Sequence, residues 1–182
     1  MNKKIIVLFT AVLAVGIGAS CCQESLEIVI EDPAFETYCL SHFDENGNGQ
    51  IQKNEVESVK SLNISGLNIQ SLKGLEEFLS LENLDCSNNQ LVRLYLSKNK
   101  ELKTVCCAYN DLPVLDVSHN VNLRVLDCSH NNITLLDLSR CEKLEGLKSV
   151  NNPLITIYVW PKFDAAEGRR WRVPEHAIFR SL

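Results

Sequence analysis

Residues 81–164 read LENLDCSNNQLVRLYLSKNKE (81–101), LKTVCCAYNDLPVLDVSHNVN (102–122), LRVLDCSHNNITLLDLSRCEK (123–143) and LEGLKSVNNPLITIYVWPKFD (144–164). The blocks align without a gap, and Leu81, Leu102, Leu123 and Leu144 recur every 21 residues. Numbered from that Leu, apolar residues fall at positions 1, 4, 6, 11, 14 and 16. Position 6 is Cys86, Cys107, Cys128 and Ser149, and position 9 is Asn89, Asn110, Asn131 and Asn152. Positions 4 and 6 alternate with outward residues, so each block supplies a short strand with its inner side chains packed together. One block cannot bury that face alone, but stacked blocks make a continuous core. The position-9 Asn falls where the chain turns inward, where its amide is expected to satisfy buried backbone groups.

The spacing is the leucine-rich repeat pattern L-x-x-L-x-L-x-x-N/C-x-L. The expected fold class is an α/β-type repeat solenoid, with short parallel strands and little helix over residues 59–162. A degenerate copy of 22 residues, Val59–Ser80, precedes the regular ones, with Leu62, Ile64, Ile69 and Leu72 in place and Leu67 where Asn is expected. A second polar column stands at position 19: Asn99, Asn120 and Cys141. Cys86, Cys107 and Cys128 share one column and read first as small buried hydrophobes. Neighbouring coils about 4.8 Å apart would permit a disulfide by distance but not by side-chain direction. A metal ladder is the third reading, against which stand the lack of CxxC spacing and of a nearby His. Cys106 points the other way.

Residues 44–55, DENGNGQIQKNE, fit the twelve-residue EF-hand loop. Asp44, Asn46 and Asn48 hold positions 1, 3 and 5, Gly49 the sharp turn, and Gln50 offers its carbonyl from position 7. Ile51 packs inward, Gln52 ligates from position 9, and Glu55 gives the bidentate carboxylate. The expected cofactor is calcium. Only Asp44 and Glu55 carry charge, so the affinity belongs near the roughly 10⁻⁴–10⁻³ M of extracellular modules. The bland reading is a loop that keeps the turn and binds nothing. Phe35, Cys39, Leu40 and Phe43 lie at helical spacing before the loop, with Pro33 as a helix start. Asn54–Ser61 is expected as a short exit helix.

Lys3 and Lys4, then the apolar run 5–17, then Gly18-Ala19-Ser20-Cys21, read as a lipoprotein signal peptide over residues 1–20 with lipidation at Cys21. Plain secretion with an incidental Cys pair is the alternative. Residues 21–32 would be a tether, 33–61 the calcium cap, and 163–182 a C-terminal cap built on Trp171, Val173, Ile178 and Phe179. Arg169, Arg170, Arg172 and Arg180 cluster in that cap as a solvated rim or a patch for an anionic partner. The chain of 182 residues carries 18 Lys+Arg against 23 Asp+Glu, net −5, which argues against nucleic acid as a partner. His42, His119, His130 and His176 show no metal spacing, and no GxSxG, P-loop or HExxH occurs, so no enzyme is expected.

The order of lipobox, EDPAFETYCLSHFDENGNG, SLKGLEEFLSLENLDCSNNQL and 21-residue coils resembles leucine-rich repeat lipoproteins of Bacteroidetes-type bacteria, and is also similar to internalin-like repeat proteins. It departs from them in its short stack, weak first coil, and Pro113 and Pro153 within coils. The resemblance implies a lipid-anchored module of the bacterial envelope, at the outer membrane and facing the cell surface, whose repeats bind a protein or glycan. A calcium-responsive module is the alternative. Positions 2, 3, 5, 7 and 8 are expected to form one binding face carrying Asp85, Asn88, Tyr109, Arg124, Asp127, His130 and Lys148. The rival face, at positions 13, 15 and 17, carries Arg93, Tyr95, Tyr158 and Trp160.

Overall fold

The computed structural model describes residues 27–154, 156–164 and 170–181. The expected signal peptide over residues 1–20 and the expected lipidation at Cys21 lie outside them. The repeats form a stack of coils with a parallel sheet on each of two sides. The strands of the first side are β1 (Ser61–Asn63), β2 (Asn83–Asp85), β3 (Thr104–Cys106), β4 (Val125–Asp127), β6 (Gly146–Lys148) and β8 (Arg170–Arg172), joined into one parallel sheet. Between them in sequence, β5 (Leu135–Asp137), β7 (Thr156–Val159) and β9 (Ile178–Ser181) form a second parallel sheet. A Tyr95–Asp116 bridge continues it towards the earlier coils. Register follows the repeat: Leu84 pairs Val105, Val105 pairs Leu126, and Leu126 pairs Leu147. These four, with Leu81, Leu102, Leu123 and Leu144, are buried at the centre.

The position-9 amides explain why a tightly wound coil tolerates buried turns. Each Asn reaches into the coil before it. Asn110 accepts from the Leu91 N–H at 2.9 Å and donates to the carbonyls of Cys86 and Cys107. Asn131 and Asn152 repeat this with Leu112 and Ile133. Asn89 does so for the first coil, accepting from Leu67 and Ile69. The first coil has no coil behind it to hold, so Leu67 can stand where Asn is otherwise required.

The N-terminal end is closed by a helix, as expected, but not by a tether. Helix α1 (Pro33–Phe43) buries Phe35 and Cys39, and Phe35 and Phe43 both contact the ring of Phe78 in the first coil. Asp32 caps α1 through Ala34 and Phe35, and its other oxygen accepts from Gln70 and Ser71 of the first coil. Burial pushes its carboxyl up, and those four backbone N–H groups outweigh burial and hold it below the usual value. Residues 27–32 are therefore a packed strap: Ile28 is buried, and Ile30 lies so close to Gly74 that a Cβ there would sit 2.9 Å away. The exit helix is shorter than expected. α2 (Lys53–Val56) stops after four residues because Val59 already begins the first coil.

The C-terminal segment caps the stack by extending it. Trp171 pairs with Leu147 at position 4, and Phe179 pairs with Ile157 in the second sheet. Trp160, Phe163, Trp171 and Phe179 close the open end, with centroid separations of 4.8–6.2 Å. Trp160, expected on the rival face, is buried in this plug.

Candidate functional site

Two places carry the candidate residues. The first is the loop 44–55. The Asp44 carboxylate accepts from the N–H groups of Asn48 and Gly49, and the Asn46 and Asn48 side chains accept from Asn48 and Gln50. Gly49 takes φ +78°, which the turn needs and a side chain resists. Glu55 is buried, accepts from Glu45 and Gln52, and receives the Asn46 amide at 2.9 Å. Gln52 also accepts from that amide, at 2.7 Å. Asn46, Gln52 and Glu55 thus converge on one another, while Asp44 holds the turn through the Asn48 and Gly49 N–H groups. That donor set, all hard oxygen with two carboxylates, fits calcium. One feature was invisible in the sequence: the Ile28 N–H donates to the Ile51 carbonyl at 2.8 Å, and Glu27 bridges Gln52.

The second place is the face of the six-stranded sheet. Position 5 runs Asp85, Cys106, Asp127, Lys148 across adjacent strands. Asp85 and Asp127 are half-buried because each holds its own turn: Asp85 accepts from the Ser87 N–H and hydroxyl, and Asp127 from the Ser129 N–H. Asp116 and Asp137 do the same for Ser118 and Ser139. The repeated Asp-x-Ser is thus an Asx-turn. Lys148 reaches Asp127 at 3.3 Å, and Arg124 reaches Glu145 at 2.9 Å. Position 7, expected to face outward, is buried as Ser87, Ala108 and Ser129. The reason is the next residue. Asn88, Tyr109, His130 and Asn151 all take positive φ between 54° and 57°, with Gly66 at φ 73° in the first coil, and that left-handed step folds position 7 under.

Asn tolerates this conformation, and a Tyr does not do so readily. Yet Tyr109 sits there at φ 57°, 53% exposed, with its ring 4.0 Å from that of His130 and 12° from parallel. His130 also contacts the Asn151 amide at 2.8 Å. The column Asn88–Tyr109–His130–Asn151 is therefore a continuous outward ridge beside a row of small side chains.

The cysteine column is buried, and burial pushes the Cys128 thiol up to about 12 and the Cys86 and Cys107 thiols up as well. The described cysteines are free thiols. Cys106 is half-buried on the sheet face, its thiol raised by burial and by Asp85 and Asp127.

No protein-family model matches the chain, and no curated protein matches it. Solved structures do. A functional domain of the internalin InlJ of Listeria monocytogenes, which includes a cysteine ladder, is 25% identical over 74% of this chain, with TM-score 0.66. An internalin, InlF, and an internalin C2 from the same species are 17% and 16% identical, with TM-scores 0.61 and 0.54. They match 75% and 74% of this chain. The chain spans 33%, 53% and 77% of the three structures in turn. It has the leucine-rich repeat solenoid fold of these internalin structures.

Proposed function

We propose that this chain is a repeat-type protein-binding module that engages its partner through the Asn88–Tyr109–His130 ridge and the adjoining Arg124 and Lys148. Asp85 and Asp127 shape that face while holding their own turns. The carrying observation is Tyr109: a bulky side chain in a left-handed position that the neighbouring coils give to Asn or His, left mostly uncovered. Such a residue costs folding free energy of order 1–2 kcal/mol, and stacked, exposed aromatics are what interfaces use as anchors. Lipidation at Cys21 would hold the module at the bacterial envelope, and calcium on Asp44, Asn46, Asn48, Gln50, Gln52 and Glu55 would brace its N-terminal end. Calcium would supply positive charge beside the Gln52 and Glu55 oxygens that share the Asn46 amide. The site is read as structural, because α1 and Asp32 weld it to the first coil.

The test is a photocrosslinking side chain at position 109, with one at exposed position 140 as control, in the full chain on intact cells. A partner captured from 109 and not from 140 should bind the purified protein. Tyr109→Ala should weaken that binding by about tenfold or more. Capture from both positions alike, or undiminished binding by the variant, would sink the reading.

A further inference from the structure

The opposite flank of the coils carries a feature that the sheet face does not explain. A cleft of about 620 Å³ opens between the second halves of the first and second coils. That lies within the roughly 300–1,000 Å³ of small-molecule sites. Leu72 and Val92 line it with apolar surface, and Tyr95, 72% exposed, presents its ring there.

The charges divide in an informative way. Lys73 is paired with Glu31, and Glu76 accepts from the Gly74 N–H. Arg93 and Lys98 are exposed and enter no ion pair among the described residues, on a chain of net −5. On the coils Lys60, Lys103, Arg124 and Lys148 have acidic partners, while Lys100, Arg140, Lys143 and Lys162, like Arg93 and Lys98, enter no ion pair among the described residues; Arg93 and Lys98 are the two of these that line the cleft. The backbone donors of the wall are already used: Gln70 and Ser71 donate to Asp32, and Lys73 to the Ser71 hydroxyl. An extended peptide, held by main-chain pairing, finds no free donors at those residues. Glu31 and Glu76 repel a polyanion but accept from hydroxyl groups.

We propose that this cleft binds a short acidic saccharide. One sugar face lies on the Tyr95 ring, whose flat apolar body and polar tip suit an amphipathic partner. Its carboxylate pairs with Arg93, which can engage it bidentately, and with Lys98. Gln70, Ser97 and the rim carboxylates meet its hydroxyls.

The probe is digalacturonate, titrated calorimetrically into the purified chain at low salt, beside neutral galactobiose and a short glutamate peptide. The acidic disaccharide should bind, the neutral one about tenfold or more weakly, and the peptide not measurably. Tyr95→Ala and Arg93→Gln should each cost about tenfold or more, and circular dichroism should show both folded, since both side chains are exposed. Tyr109→Ala should leave saccharide binding unchanged, so failure here and failure of the sheet-face reading are separable. No binding of digalacturonate at millimolar concentration, equal binding of galactobiose, tighter binding of the peptide, or indifference to Tyr95→Ala would each overturn the proposal.

Discussion

Both Asn columns are buried, yet truncation should cost far more in one than in the other. Asn131→Ala removes the sole partner of the buried Leu112 N–H. The carbonyls it served are spared: Cys107 keeps the Asn110 amide at 3.1 Å, and Cys128 keeps the Asn152 amide at 2.9 Å. One orphaned buried donor costs about 1–3 kcal/mol, and the lost hydrogen bonds to carbonyls add about 1 kcal/mol. We expect a total of about 2–4 kcal/mol. Asn120→Ala orphans nothing. Leu96 keeps the Asn99 N–H at 3.1 Å, and the Asn99 carbonyl keeps the Leu102 N–H at 3.3 Å. It also removes Asn120 Oδ1, a buried acceptor with no partner. That relief offsets the lost hydrogen bonds, so the cost should be about 0–1 kcal/mol. Cys141, a weak donor, already occupies the equivalent place in the next coil, contacting the Val117 carbonyl at 3.6 Å. Urea unfolding at 25 °C measures both, as a shift in midpoint at constant slope. Costs within about 0.5 kcal/mol of each other, or in reversed order, would refute the accounting by orphaned groups.

Glu55→Ala should abolish calcium binding and remove the rise in melting temperature that calcium gives the wild type, because a ligand bound only by the folded state stabilises it; scanning calorimetry with and without calcium decides, and equal calcium response in mutant and wild type would contradict the site. Leu126→Ala, at a fully buried position, should cost about 2–5 kcal/mol in denaturant titration. Stability should fall as pH rises above about 8.5, where thiols ionise in the unfolded chain, while burial keeps Cys39 and Cys128 protonated up to about 12 and Cys141 up to about 11. The folded state then binds more protons, so each thiol removes up to about 1.4 kcal/mol per pH unit; Cys128→Ser, copying Ser149 of the next coil, should flatten the slope of unfolding free energy against pH. Tyr109→Asn should raise the unfolding free energy by about 0.5–1 kcal/mol by relieving the left-handed strain, while weakening partner binding.

Much of the solenoid was legible because its determinants are local and repeated. The 21-residue period placed Leu84, Val105, Leu126 and Leu147 in one buried row, and the structure pairs them in that register. The turn of the loop 44–55 was legible for the same reason, its residues lying within twelve positions. What escaped depends on contacts distant in sequence. Residues 27–32 carry no periodicity, and their packing is set by Asp32 reaching Gln70 and Ser71 and by Ile30 meeting Gly74. Residues 170–181 were read as a cap outside the pattern because the offset from Leu147 to Trp171 is 24 residues rather than 21. Only spatial pairing shows that Trp171 fills a leucine position.

Position 7 was expected outward and is buried, and the difference changes which side chains the sheet face leaves exposed. A strand that continued to position 8 would have kept Ser87 and Ser129 outward and Asp85 and Asp127 unengaged. The left-handed step at position 8 prevents this. It buries position 7 and recruits the position-5 carboxylates as turn acceptors, so those acids serve the fold before any ligand. It also forces the position-8 side chains outward, where Asn is the residue of least strain. The fold therefore accounts for Asn88 and Asn151, and for Gly66 in the first coil, and gives no reason for Tyr109. A residue that the backbone disfavours, that buries little of itself, and that stacks on a neighbouring coil's His130 is best explained by what binds it.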